Sequence, residues 1–174
     1  MNNDTVGQFR LESTAEYVVS IFIAKIPIPL RRCVATLTRS GRFRMANPHA
    51  RLIASFREDV VGQLGGCSLP IFKGDVPLAM TVIFSIRRPD HHYVNRDRNN
   101  GIKPNVLHSR VTGGDIDNYA KFVLESMNGV IYVDDKFICR LCVKKRWDIK
   151  ENSEGSTSIA VSIMNPPSTD TQDE

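Results

Sequence analysis

Two stretches of helical periodicity interrupt a chain whose other apolar runs are rich in Val and Ile, and this interleaving limits the fold more than any other feature. "EYVVSIFIAKI" (16–26) reads as a strand ended by Pro27 and Pro29. "PHARLIASFREDVVGQL" (48–64) reads as a helix. Pro48 suits its first turn, Leu52, Ile53, Phe56, Val60 and Leu64 recur at helical spacing, and Gly65-Gly66 stop it. "VPLAMTVIFSIRRP" (76–89) is a second strand. A second helix is expected over residues 116–127, where Ile116, Ala120, Val123, Leu124 and Met127 fall on one face. "VIYV" (130–133) and "FICRLCVKKRW" (137–147) are then expected as two strands of a hairpin turning on "DDK", followed by a last strand, "STSIAVSIM" (156–164). With strands outnumbering helices, no internal repeat and no linker, the sequence predicts an α+β fold: a single domain with a mixed β-sheet and two main helices. At 174 residues the chain is long enough to bury one core. Residues 14–164 are expected to form that domain. The polar stretch 1–13 and the tail 165–174 are expected to be disordered.

The tail holds three acids and no base, so the net charge of +4 rises to +7 for residues 1–164 when those three are removed. The basic residues are also clustered. "RRCVATLTRSGRFR" (31–44), a basic arm expected to form a hairpin turning at Ser40-Gly41, contains five arginines and no acid. The polar stretch 89–114 has no apolar periodicity, and a loop of that length in a compact domain is usually functional or disordered. Together with the two arginines that precede it, it is again rich in bases. Such charge is compatible with nucleic acid without demonstrating it, and Arg31, Arg32, Arg39, Arg42 and Arg44 of the arm, Arg87, Arg88, Arg96, Arg98 and Lys103, and Lys144 and Lys145 at a strand end are the residues that could reach its phosphates.

The four cysteines are not expected to form a zinc site. "CRLC" lies within a strand pattern, where residues three apart point to opposite faces, and no second pair completes the ligand set. Buried or partly buried free thiols are expected, suited to a reducing, intracellular compartment. No signal peptide is visible, and the most apolar run, "YVVSIFIAKIPIPL", is too short to span a membrane and carries Lys25. The expected protein is soluble, without a membrane partner, and either cytoplasmic or nuclear. His91-His92, His49 and His108 are read as exposed or phosphate-contacting residues, Trp147 and Tyr132 as packing residues, and Tyr93 and Phe43 as weak base-stacking candidates.

The chemistry is concentrated in "GGDIDNYAKFVLESMNGVIYVDD" (113–135). Asp115 falls at or just before a helix N-cap. Asp117, Lys121 and Glu125 fall at i, i+4 and i+8 on a face beside the apolar one, with Asn118 at its border. Taken singly, these are ordinary features: an N-cap acid, an acid in the first turn, an i,i+4 ion pair, and a turn at Asp134-Asp135. Taken together, a turn that follows a helix directly usually packs beside it, which would bring Asp134 or Asp135 toward the helix start. Carboxylates so grouped suit a hard divalent ion, Mg²⁺ with Mn²⁺ possible, and such a centre with basic loops is what phosphodiester cleavage requires.

"GDIDNYAKFVLESMNGVIYVDDKFICRLCVKK" resembles the core of the RusA-like Holliday junction resolvases. That family is marked by Asp-x-Asp-Asn-x-x-Lys at a helix start, then an Asp-Asp pair before a strand that ends in lysine. Here the matching residues are Asp115, Asp117, Asn118, Lys121, Asn128-Gly129, Asp134-Asp135 and Val143-Lys144. Gly113-Gly114 stand where many relatives carry a basic residue and proline, and Glu125 stands where another aspartate is frequent. Weaker likeness covers roughly residues 17–165. The resemblance implies an Mg²⁺-dependent homodimer that cuts four-way DNA junctions by paired symmetric nicks. Asp115, Asp117 and Asp135 would be the metal-binding carboxylates, Lys121 the catalytic lysine, Asp134 an auxiliary acid and Asn118 a site-shaping residue. The alternatives are a less selective flap or fork nuclease, and a relative that binds branched DNA without cutting it.

Overall fold

The architecture was taken from a computed structural model, which describes residues 18–30, 34–37, 39–106, 111–148 and 154–164. The expected disordered ends, Arg31, Arg32, Cys33 and His108 lie outside the described residues. In chain order the elements are β1 (Val18–Ile23), β2 (Val34–Leu37), β3 (Phe43–Ala46), α1 (Ala50–Gln63), β4 (Leu78–Ile86), α2 (Ile116–Met127), β5 (Ile138–Trp147) and β6 (Gly155–Ile163). Five short 3₁₀ turns accompany them among the described residues. The α+β class, the mixed sheet and the two main helices agree with the sequence.

The main sheet runs β1-β6-β4-β5. β6 lies antiparallel between β1 and β4, while β5 runs parallel to β4 along its other edge. Parallel neighbours need a crossover longer than a hairpin, and α2 lies within that crossover between β4 and β5. β1 alternates exposed and buried side chains, directing Val19, Ile21 and Ile23 inward. Met80, Val82 and Phe84 of β4 and Ile159 and Val161 of β6 join them in the core. Both helices contribute to the same core: α1 through Ile53, Phe56 and Val60, and α2 through Tyr119, Phe122, Val123 and Met127. Phe122 is the junction between them, edge-on to Phe56 at 5.4 Å and to His49 at 6.4 Å. Arg57 on α1 donates to the carbonyls of Glu125 (2.8 Å) and Ser126 (3.0 Å), placing a cation at the negative end of α2. β2 and β3 form a separate two-stranded hairpin, turning as expected near Ser40-Gly41 with Gly41 at φ +73°.

Several expectations are corrected. Residues 130–133 are not a hairpin strand. Val130, Ile131 and Tyr132 are buried in succession, which an alternating strand cannot do, and they pair with residues 71–72 through isolated bonds: Ile71 N–H to the Val130 carbonyl and Phe72 N–H to the Ile131 carbonyl. "DDK" is accordingly not a hairpin turn. It opens the 3₁₀ turn Asp135–Phe137, with Asp134 as its cap accepting from Lys136 N–H. Against the expected burial of the thiols, Cys67, just after α1, and Cys139 and Cys142, on the edge strand β5, are exposed.

The 89–114 segment is more ordered than its polarity suggests. Its described part winds through four 3₁₀ turns pinned by Tyr93, which is buried and bridges to Ile102. Tyr93 is therefore a packing residue rather than a base-stacking one. No helix among the described residues is long and apolar enough to cross a membrane.

Candidate nuclease site and nucleic-acid interface

The first turn of α2 carries the expected acids. Asp115 is its N-cap residue, in extended conformation, and its side chain makes no capping bond; the helix instead begins on the Asp115 carbonyl, which accepts from the N–H groups of Asn118 and Tyr119. Asp117 projects from the first turn and meets Lys121 at 3.3 Å, both side chains being mostly exposed. Asn118, half-buried, accepts from Leu30 N–H on its own carbonyl at 2.9 Å, which ties the helix start to the chain leaving β1. Glu125 does not join this group: it accepts from the Asn47 side chain at 3.1 Å, at the end of β3.

Asp134 and Asp135 lie in the 3₁₀ turn, which packs against α2. Asp134 is bound by Lys136 N–H at 3.0 Å and lies 3.9 Å from the Lys136 ammonium. Asp135 is exposed, and its charge acts on the neighbouring Tyr132 hydroxyl. That hydroxyl donates to the Leu124 carbonyl at 3.0 Å and is held far above its ordinary pKa, first by burial and then by Asp135. Among the described residues, no three His, Cys, Asp or Glu side chains are grouped so as to hold a metal ion. Uncompensated carboxylates repel one another, and here Asp117 and Asp134 each turn to a lysine instead. The donor set is nevertheless of the right kind for a hard ion. All of its groups are carboxylates, those of Asp115, Asp117 and Asp135 are exposed, and the helix that carries two of them packs against the turn that carries the others.

Arg39, Arg42, Arg96 and Lys144 are exposed, and Arg44 lies on β3. Arg87, Arg88, Arg98, Lys103 and Lys145 are held by partners within the protein. Arg88 is buried, donates to the carbonyls of Asp148 and Val106 at 3.3 Å each, and lies over the buried Trp147 ring. It anchors the long segment to the end of β5 and does not face solvent. Arg98 pairs with Asp90 at 2.8 Å and covers Tyr93, and it holds the Asp90 carboxyl below the usual range, by hydrogen bonding first and by charge second. Arg87 pairs with Glu154. Lys103 donates to the His91 carbonyl at 2.9 Å. Lys145 donates to the Gly114 carbonyl at 2.8 Å. Of the two neighbouring histidines, His92 is buried edge-on to Trp147 at 5.1 Å and His91 is exposed. Burial, and then the charges of His91, Arg88 and Lys103, pull the His92 pKa down. His49 is likewise buried. An open cleft of about 400 Å³, bordered by Arg87, Arg98, Thr112, Gly113 and Trp147, lies beside the entry to α2.

These inward-facing roles were not visible in the sequence, where a buried arginine and an exposed one look alike. The one available signal was the place of Arg88 at the end of the strand pattern 76–89.

A family model described as endodeoxyribonuclease RusA matches residues 36–162, well over half of the chain and spanning both the acids of α2 and the 134–135 turn. No curated protein matches the sequence.

Proposed function

We propose that this chain, which belongs to the endodeoxyribonuclease RusA family, cuts four-way DNA junctions as a homodimer, by paired symmetric nicks that depend on a divalent ion. Family membership makes it an endodeoxyribonuclease that resolves Holliday junctions. The cofactor, the residue roles and the dimer are the proposed part. The observation that carries the cofactor and the residue roles is the start of α2, where Asp115, Asp117 and Lys121 project from consecutive turns of a helix that packs against the Asp134-Asp135 turn; the dimer rests on the family resemblance alone.

Asp115, Asp117 and Asp135, with Asp134 beside them, would hold Mg²⁺ or Mn²⁺. When bound, such an ion supplies an activated water and neutralises charge on the phosphate. Lys121 keeps its ammonium within reach of Asp117 and mostly exposed, so it can turn to balance charge developing on the scissile phosphate or its leaving oxygen. Asn118 shapes the site through the main-chain bond that fixes the helix start. A two-fold dimer facing a nearly two-fold junction would present one such site to each of two strands.

The test is cleavage of a labelled four-way junction beside linear duplex and flap DNA, with Mg²⁺ and with EDTA. Cutting confined to the junction and dependent on Mg²⁺ is expected. Equal cutting of the flap would replace this reading with a less selective nuclease, and a bound but uncut junction would replace it with an inactive binder.

The exposed arginines of the arm carry a separate expectation. Replacing Arg39 and Arg42 with Ala weakens junction binding and lowers the slope of log K against log salt by up to about 2, since each lost phosphate contact removes about 0.9. An unchanged slope in a salt titration removes the arm from the DNA interface.

A further inference from the structure

We propose that Lys145 is a positioning residue, whose ammonium holds the carbonyl of Gly114 and so fixes the backbone from which Asp115 and Asp117 project. The inference rests on the reading that those two carboxylates act in cleavage.

The start of α2 is poorly secured by its own sequence. The Asp115 side chain makes no capping bond, and the two residues before it are glycines, the least restricted backbone available. Gly113 adopts φ +103°, a conformation that residues with a Cβ rarely take. A segment built this way would sample many positions unless other elements held it.

Three elements hold it. The segment after β1 supplies Pro29, packed so tightly on Gly114 that a Cβ there would lie 2.7 Å from the proline Cβ, and Leu30, whose N–H donates to the Asn118 carbonyl. Tyr119 of α2 lies beneath both glycines: a Cβ on Gly113 would be 3.1 Å from its hydroxyl, and one on Gly114 would be 3.4 Å from its ring. β5 supplies Lys145. Its partner across the parallel ladder is Phe84, whose ring packs on Tyr119 at 5.2 Å, and the Lys145 ammonium lies 5.8 Å from the same Tyr119 ring. Lys145 therefore points to the helix-covered side of the sheet, and its charge is directed at the Gly114 carbonyl, 2.8 Å away. Lys144, its neighbour, points to the opposite side and is exposed. Two adjacent lysines that look alike in the sequence thus have different tasks, one facing DNA and one bracing the site. Bonds to ionised donors are among the stronger ones, and this bond spans 31 residues to link the edge strand with the catalytic helix.

The experiment uses the full chain with Lys145→Met, Lys145→Gln and, for comparison, Lys144→Met. Three quantities are read: the single-turnover rate at saturating junction with the Mg²⁺ concentration for half-maximal rate, the salt slope of junction binding in EDTA, and hydrogen exchange at the amides of 113–118. Lys145→Met is expected to slow cleavage and raise the Mg²⁺ requirement by roughly 10–100-fold, the usual cost of losing a group that orients a metal ligand. It is also expected to speed exchange at the helix entry and to leave the salt slope unchanged. Lys145→Gln keeps a donor without the charge and should recover part of the rate and of the protection. Lys144→Met should lower the salt slope by about 1.

A Lys145→Met protein with a lowered slope and native exchange overturns the proposal and makes Lys145 a phosphate contact. So does a Lys145→Gln protein no better than Lys145→Met in rate and exchange. Should Lys145→Met not fold, the Gln variant and its exchange profile still decide. Failure of the wider site reading is distinguishable: an Asp117→Asn protein that cuts normally sinks that reading, whereas exchange at 113–118 reports on the Lys145 anchor independently of cleavage.

Discussion

Asp117→Asn abolishes junction cleavage, lowering the rate by at least about 10²–10³-fold, the scale on which removal of one preorganised electrostatic group acts. Junction affinity stays the same or rises, because a negative charge is removed from a surface that faces phosphates. The fold tolerates the change. Asp117 is mostly exposed and pairs with Lys121 at 3.3 Å, and an exposed i,i+4 pair contributes only about 0.3–0.5 kcal/mol. Loss of the favourable interaction with the helix N-terminus adds about 0.3–1 kcal/mol. Rate and stability therefore separate: thermal unfolding shifts by a few degrees while cleavage disappears. Cleavage at the native rate would remove Asp117 from the site.

Phe122→Ala has the largest effect on stability. Phe122 is almost fully buried and is the contact through which α1 and α2 share the core, edge-on to Phe56. Truncating a buried aromatic ring costs about 3–5 kcal/mol, a large part of the 5–15 kcal/mol that holds a domain of this kind. Urea unfolding should show that loss in the midpoint with little change in slope. The same variant loosens the helix that carries Asp115, Asp117 and Lys121, so its activity falls off at lower temperature than that of the native chain. A loss below about 1 kcal/mol would contradict the packing of α1 on α2 described here.

Much of this architecture was legible from periodicity. α2 occupies the residues its apolar spacing marks, and β1, α1, β4, β5 and β6 differ from their sequence patterns only at the ends. The Asp115 N-cap and the Asp117–Lys121 pair followed from helical geometry alone. The failures have a common cause, which is that local pattern does not report tertiary pairing. "VIYV" has strand composition, yet its residues enter the core consecutively, and the parallel pairing of β4 with β5 leaves no hairpin for them to join. Tyr93 and Arg88 sit in polar sequence but are buried by the way the 89–106 segment folds back on β5. Lys145 could be separated from Lys144 only once the register of β5 showed which side of the sheet each faces. The order of the long segment does not show in its sequence, because its 3₁₀ turns are held by single anchors rather than by a repeating apolar face.

The most direct test of the central claim is strand-by-strand mapping of cleavage on a mobile four-way junction, with each of the four strands labelled in turn and Mg²⁺ added to start the reaction. Paired nicks at symmetric positions on two opposing strands, absent in EDTA and absent with Asp117→Asn, are the predicted result. Unpaired nicks scattered over all four strands, or cutting that persists without a divalent ion, would contradict it.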